Sequence, residues 1–339
     1  MTSPSVPDSL RPLYAWDALP EYFAGGHEWS DGTLFRYAYK GEDRLLKLMP
    51  ARSEQALDPV RERQAFLEYL NLHGVDTTLP LRSERGELAE LVTLEGRDYV
   101  AYAWRMVPGE HITLGDPRDC RDFYARWGRL LGKLHRLAQS LPDWRHSACR
   151  DARGVPLISR RREWDHFFNW FRDDGIKAAW LRMRQDLDRI PVRRDNHGFI
   201  HNDAHPHNIL QDGSRLILID FDVANYLWFA LDLAICVYSE YSRVNFHSPY
   251  AYRNEELDAI FVTPFLQAYE SENPLPAGEY VNIELFLNYR RFLMFACFYD
   301  QIKANAPAYL EQMKRDIITA RPYLPADNCF RRRLEASSL

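Results

Sequence analysis

Apolar positions follow two periods along the chain, one short and one helical. Over roughly the first hundred residues they come in short runs parted by turn residues. Thr33–Tyr39 is β-branched and aromatic, Lys40-Gly41-Glu42-Asp43 supplies a turn, and Arg44–Met49 is again strand-like, which predicts a hairpin. Pro59–His73 sets Phe66, Leu67 and Leu70 among many charges and reads as one amphipathic helix stopped by Gly74. Ala89–Thr93 and Tyr99–Trp104 are two more strands, parted by the turn Leu-Glu-Gly-Arg-Asp. The order is strand, strand, helix, strand, strand.

Val107-Pro108-Gly109-Glu110 then breaks the sheet, because proline cannot donate to a ladder and glycine loosens the backbone. Beyond it the apolar spacing is helical. Arg118–Leu141 carries Phe123, Trp127, Leu130, Leu131, Leu134 and Leu137 on one stripe. Helices are also predicted at 164–171, 178–187, 231–241, 257–269, 283–302 and 309–320, with one strand-loop-strand at 199–221 among them. The pattern predicts an α+β, bilobal architecture. A small antiparallel-sheet N-lobe with one helix is expected over residues 1–106. A large, mostly helical C-lobe is expected over 107–339. Such a pair of lobes is expected to form a cleft that shields a nucleotide from bulk water.

Composition narrows the class. A formal net charge of −5 argues against a nucleic-acid binder driven by phosphate contacts. No segment approaches the roughly 20 apolar residues that span a bilayer, so no membrane association is expected. The start, Met-Thr-Ser-Pro-Ser-Val-Pro, lacks the pattern of a signal peptide. Cys120, Cys149, Cys236, Cys297 and Cys329 are scattered and odd in number, which suits reduced thiols in a cytoplasm.

The chemistry concentrates at 198–222. Asp203 and Asn208 stand five residues apart in a polar loop, and Asp220 ends the apolar run Leu216–Ile219. One Asp as acceptor of a hydroxyl proton, with an Asn and a second Asp holding Mg²⁺ against nucleotide phosphates, suits phosphoryl transfer. Asp203 is the expected general base, kept ionised by nearby cation charge. Asn208 and Asp220 are the expected Mg²⁺ ligands, because Mg²⁺ takes oxygen donors and keeps several waters. Asp222 reads equally as a substrate or second-metal contact and as a loop support.

The histidines of the loop open a rival reading. His201, His205 and His207 resemble the clusters of zinc hydrolases, but no second histidine-rich segment exists to complete a site. His201 and His205 are expected to hold the loop by hydrogen bonds instead. In the first lobe, Lys47 is the one polar residue within Leu-Leu-Lys-Leu-Met. It either faces solvent or points at the α- and β-phosphates, braced by Glu62, with Glu68 as the alternative brace. The glycines of Gly25–Gly32 suit a backbone approach to phosphate. The connector Trp104–Gly109 offers edge amide and carbonyl groups to an adenine.

Taken together, these segments resemble the aminoglycoside phosphotransferase and choline kinase superfamily, over roughly residues 20–320. His201-Asn202-Asp203-Ala204-His205-Pro206-His207-Asn208 has the family's His-x-Asp-x-His-Pro-x-Asn form, and Ile219-Asp220-Phe221-Asp222 its Ile-Asp-Phe segment. Asp232-Leu233-Ala234 matches its Asp-Leu-Ala helix start, and Gly132-Lys133-Leu134-His135 its Leu-His helix. Phe221-Asp222-x-x-x-Tyr226-x-Trp228-Phe229 and Asn288-Tyr289-Arg290-Arg291-Phe292-Leu293 point to bacterial phosphotransferases near the stress-response and homoserine-kinase-like proteins.

The resemblance implies a protein-kinase-like fold and an ATP-dependent kinase, with GTP also open and Mg²⁺ as cofactor. It implies Asp203 as base, Asn208 and Asp220 as metal ligands, Lys47 as the phosphate-binding lysine and Asp232 as the brace of the catalytic loop. It also implies that the Arg105 carbonyl and Val107 amide face the purine. The expected acceptor is the hydroxyl of a small molecule: an aminoglycoside, amino alcohol, homoserine-like compound or sugar. Tyr238, Tyr241, Tyr289 and Tyr299 are candidates to build its pocket. A serine/threonine protein kinase is the alternative, although no activation segment with Ala-Pro-Glu lies between Asp220 and Asp232. A non-catalytic pseudokinase is a further one, and the intact Asp203, Asn208, Asp220 and Lys47 weigh against it.

Overall fold

The computed structural model describes residues 6–26, 32–247, 252–326 and 328–336. Its strands are β1 (Glu21–Gly25), β2 (Thr33–Tyr39), β3 (Glu42–Pro50), β4 (Leu79–Leu81), β5 (Glu90–Leu94), β6 (Arg97–Arg105), β7 (Glu110–His111), β8 (His197–Ile200), β9 (Ile209–Asp212), β10 (Arg215–Leu218) and β11 (Asn225–Trp228). Its helices are α1 (Leu57–Leu72), α2 (Arg121–Ser140), α3 (Arg160–Phe168), α4 (Asp174–Asp188), α5 (Phe229–His247), α6 (Asn254–Leu257), α7 (Thr263–Glu270), α8 (Glu279–Cys297), α9 (Tyr299–Asn305), α10 (Pro307–Ile318) and α11 (Cys329–Ala336). No described helix is long and apolar enough to cross a membrane.

The chain folds as two compact units that are not divided by a single cut. The first comprises Met1–His111, Ser147–Leu157 and Ile209–Asp222; the second comprises Ile112–His146, Ile158–Asn208 and Val223–Leu339.

The first unit is built on an antiparallel sheet in the order β1-β2-β3-β6-β4, with β5 also beside β6. Both predicted hairpins form. Lys40-Gly41 and Glu95-Gly96 take positive φ at both turn positions (52° and 77°, 50° and 75°), the mirror-image turn whose twist matches two strands. The helix α1 ends where Gly74 turns left-handed at φ 77°, and the Val75 amide donates to the Leu70 carbonyl at 3.0 Å.

Strand alternation assigns the two faces of this sheet. Leu46, Leu48, Ala101 and Ala103 pack with Phe35, Tyr37 and the N-terminal residues Val6, Leu10, Tyr14 and Trp16. Val100, Tyr102 and Trp104 pack with Val60 of α1, and Leu45 and Met49 join them. The N-terminal cover was not legible as an element, yet Tyr14 donates its hydroxyl to the Ala101 carbonyl at 2.7 Å. A second sheet, β10-β9-β7, completes the unit.

The second unit is mostly helical around one short antiparallel ladder, β8 with β11. The predicted 118–141 helix is α2, and it lies against α7 at glycine positions one turn apart. A Cβ on Gly128 would stand 2.0 Å from the Phe265 carbonyl oxygen, and one on Gly132 2.6 Å from that of Tyr269. Trp127, Trp164, Trp180 and Trp228 are fully buried. The predicted 283–302 helix is broken at Phe298 into α8 and α9, and α11 was not foreseen.

His197, in β8, is fully buried between Trp144 and Trp228 at ring distances of 6.3 and 5.7 Å. Burial, aided by the Arg160 charge, pushes its pKa down from 6.5 to about 3. The unfolded chain therefore takes up this proton at a higher pH than the folded one. Stability from this group is complete above pH 6.5 and is lost as the pH falls toward about 3. His197→Phe should flatten the decline of stability on acidification through that window, by at most about 1.4 kcal/mol for each step of one in pH. Urea unfolding at a series of pH values measures the slope. An unchanged slope in the variant would show that His197 is not the group responsible.

Candidate active site

The loop 201–208 is pinned from behind by one buried carboxylate. Asp232, in the first turn of α5, is fully buried; its oxygens accept the backbone amides of His201 (3.0 Å) and Asn202 (2.7 Å). The same carboxylate meets His135 Nε2 at 3.1 Å, and His135 Nδ1 lies 2.9 Å from the Tyr269 hydroxyl. A buried charge is tolerated when its lone pairs are taken up in this way.

Between the two pinned amides and the candidate base the chain reverses. Asn202 has φ 68°, a left-handed conformation that asparagine adopts more readily than most residues. Its side-chain amide donates to the Val223 carbonyl (3.0 Å) and to Glu163 Oε2 (2.7 Å). Glu163 also accepts from Asn225 Nδ2 (2.7 Å) and from the Tyr289 hydroxyl (2.6 Å). Sequence reasoning gave Glu163 no role, because nothing in its own segment marks it. Tyr289 is thus tied to this network, and Tyr241 bonds to Asp258, so two of the tyrosines expected in an acceptor pocket are engaged in the scaffold.

Asp203 follows, with its carboxylate 28% exposed. Its amide donates to His201 Nδ1 at 3.2 Å, and its Oδ2 meets His205 Nε2 at 3.3 Å. The unforeseen partner is Arg290 of α8, whose Nη2 lies 2.6 Å from Asp203 Oδ1. Burial raises the Asp203 pKa, but Arg290 and then His205 and His201 outweigh it and hold the carboxyl well below its ordinary value. The residue is an ionised acceptor, the state a general base requires. Arg290 lies in a segment singled out only for its family resemblance. Its spacing from Asp203, 87 residues, carries no local signal.

Asn208 is held in a defined orientation. Its Nδ2 donates to the Asp203 carbonyl at 2.9 Å and approaches Oδ2 at 3.5 Å. Its Oδ1 takes no donor among the described residues, which suits an oxygen ligand for a hard cation. Among the described residues no group of three or more His, Cys, Asp or Glu side chains is placed to hold a metal ion. His205 and His207 stack edge to face at 5.7 Å.

The other candidates lie in the first unit. Asp220 follows β10 at φ 65°, a strained backbone for an aspartate. Phe221 is buried against Phe66 of α1, ring centres 6.4 Å apart. Lys47 is 6% exposed, on the sheet face shared with Tyr102, and so does not face solvent.

A carboxylate that the sequence reading did not pair with Lys47, that of Asp222, ion-pairs with its Nζ. The Tyr102 hydroxyl donates to the other Asp222 oxygen at 3.2 Å. Burial pushes the Asp222 carboxyl up, and Lys47 more than compensates, leaving it below its ordinary value. Glu62 accepts from Ser147, which the 147–157 segment brings to α1. Glu68 forms a bidentate surface pair with Arg82 (2.6 and 3.0 Å).

The connector residues are also placed. Arg105 ends β6 with its guanidinium on Glu42 at 3.0 Å. The Met106 amide donates to the Asp43 carbonyl at 2.9 Å, whereas the Val107 amide has no acceptor among the described residues. In the glycine-rich segment the Gly26 amide donates to the Gly32 carbonyl at 2.9 Å; residues 27–31 lie outside the described residues.

Comparison with known proteins identifies the family and the fold. The model of the phosphotransferase enzyme family matches residues 24–279. Amicoumacin kinase from Bacillus subtilis (strain 168) is 25% identical over 277 residues, 77% of each chain. Homoserine kinase from Parvibaculum lavamentivorans is 29% identical over 180 residues, 51% of this chain and 50% of that one. Among solved structures, amicoumacin kinase hAmiN in complex with AMP-PNP, Ca2+ and Ami superposes with a TM-score of 0.80 at 20% identity, covering 96% of this chain and 95% of that one. The fold is therefore the α+β, protein-kinase-like one that the motifs implied. With the family model matching residues 24–279, most of its length, the chain belongs to the phosphotransferase enzyme family.

Proposed function

We propose that the protein moves the γ-phosphoryl group of ATP onto a hydroxyl group of a small molecule. The observation that carries this reading is Asp203 itself: ionised, part-exposed, and fixed by a loop whose backbone Asp232 clamps. The relatives named for amicoumacin and homoserine, both small molecules, favour a small acceptor over a protein. AMP-PNP and Ca2+ in the hAmiN complex support a nucleotide and a divalent metal, which we take to be ATP and Mg²⁺.

The roles then follow from the chemistry of each side chain. Asp203 Oδ2, in contact with His205, is the part of the base that accepts the proton of the acceptor hydroxyl. Asn208 Oδ1 and the Asp220 carboxylate are the oxygen donors for the metal. Neutralisation of phosphate charge is what a bound divalent cation supplies. Lys47 exchanges Asp222 for phosphate oxygens when nucleotide binds. The Arg105 carbonyl and Val107 amide serve the purine edge, and Glu62 supports α1 through Ser147. His201 and Asp232 hold the loop. On this reading residues 1–106 serve the nucleotide and 107–339 the acceptor.

Asp203→Ala should lower acceptor-dependent ADP release by about 10²- to 10⁴-fold, with nucleotide affinity close to that of the wild type. Lost ATP binding with turnover retained would contradict the assignment.

In Asp220→Ala, nucleotide affinity should no longer respond to Mg²⁺. Titrating Mg²⁺ against the dissociation constant of AMP-PNP checks this, and a response equal to that of the wild type would remove Asp220 from the metal site.

Lys47→Met leaves the Asp222 carboxylate buried without its cation, and breaking such a pair costs roughly 3–5 kcal/mol at full burial and less here. Adding Asp222→Asn should restore part of that stability, so the double variant should be less destabilised than the sum of the two singles. Chemical denaturation of all four proteins gives the coupling. Strict additivity would mean the pair is not formed in solution.

A further inference from the structure

Arg290 is more than a partner for the base. It projects from α8 with its side chain 12% exposed, and one of its five N–H donors is used, by Asp203 Oδ1. No other acceptor takes its guanidinium among the described residues. Its Nε and Nη1 are not among the buried unpaired groups either, so they reach solvent. A planar fork of open donors therefore stands beside the atom that receives the acceptor's proton.

The charge around that point is also informative. Asp203 is met by Arg290 and by His205, and no second carboxylate is hydrogen-bonded to either Asp203 or Arg290 among the described residues. A cationic group next to the reacting hydroxyl would confront that guanidinium, and the one carboxylate bonded to it is the base itself. An oxygen acceptor in the same place would complete the fork. Charge-assisted hydrogen bonds of this kind are among the stronger ones available to a binding site.

We propose that Arg290 is a specificity-determining residue that binds a carboxylate or amide-carbonyl oxygen on the carbon next to the acceptor's reactive hydroxyl. The substrate class is then a hydroxy acid or hydroxy amide rather than a simple amino alcohol. This rests on the reading of Asp203 as the general base, and it narrows the range of acceptors that the family alone leaves open.

The test uses the full chain and three two-carbon probes that differ only beside the hydroxyl: glycolate, glycolamide and ethanolamine. Binding is measured by calorimetry in the presence of AMP-PNP and Mg²⁺, and kcat/KM by ADP release with ATP. Glycolate or glycolamide should exceed ethanolamine by about tenfold or more on both measures. Arg290→Met should erase that preference mainly through KM, with its folding checked by thermal unfolding. Arg290→Lys, which keeps the charge but loses the fork, should retain preference for glycolate and lose it for glycolamide. Preference for ethanolamine in the wild type would overturn the proposal, as would an equal loss for all three probes in Arg290→Met. The first of these leaves the phosphotransferase reading intact. That reading falls separately, if acceptor-dependent ADP release persists undiminished in Asp203→Ala and in Asp220→Ala.

Discussion

The arrangement of the candidate site depends on a buried carboxylate that no substrate touches. Asp232 accepts two successive backbone amides, those of His201 and Asn202, and is itself supported by His135 and, behind it, Tyr269. Backbone amides at the end of a strand have no ladder partner of their own and need an acceptor when buried. By satisfying both from one side chain, α5 stops β8 at a fixed point and sets the turn at Asn202. Asp203 leaves that turn in a single direction. Replacing Asp232 by an apolar residue would strand two amides and a histidine together, a cost no local rearrangement recovers.

A second set of contacts fixes the same loop from the opposite side in sequence. Consecutive residues of α8 meet consecutive residues of the loop: Tyr289 reaches Asn202 through Glu163, and Arg290 reaches Asp203 directly. Glu163 lies on α3 and also accepts from Asn225 of β11, so one carboxylate joins three elements and the loop. The base is therefore oriented by helices whose own positions come from the tryptophan-rich core of the second unit. Movement of α8 would be felt at the Asp203 carboxylate before anywhere else in the loop.

What the sequence disclosed divides along a physical line. Features set by neighbours in the chain were legible: the Lys40-Gly41 and Glu95-Gly96 hairpins, the Gly74 stop of α1 and the amphipathic stripe of α2. Features set by partners distant in the chain were not. Lys47 pairs with a carboxylate 175 residues away, which no reading of its own segment and the next helix could supply. The N-terminal residues Leu10, Tyr14 and Trp16 cover a sheet face without forming a periodic element. The break at Phe298 divides a run whose apolar spacing continues on both sides of it.

The same line explains why two largely buried ion pairs escaped a local reading. Lys47 with Asp222 and Arg290 with Asp203 each set a poorly exposed cation against a carboxylate. Neither charge could be buried alone, since an unpaired one costs several kcal/mol, on the order of what a domain's whole stability supplies. The fold must therefore bring the pair together before any chemistry is considered. A side chain already paired can serve a ligand only by exchanging one partner for another, and that exchange is far cheaper than creating a charge in a dry site. Phosphoryl transfer depends mainly on positioning and charge placement. A scaffold that holds its charged groups in pairs meets both demands with the contacts that keep it folded.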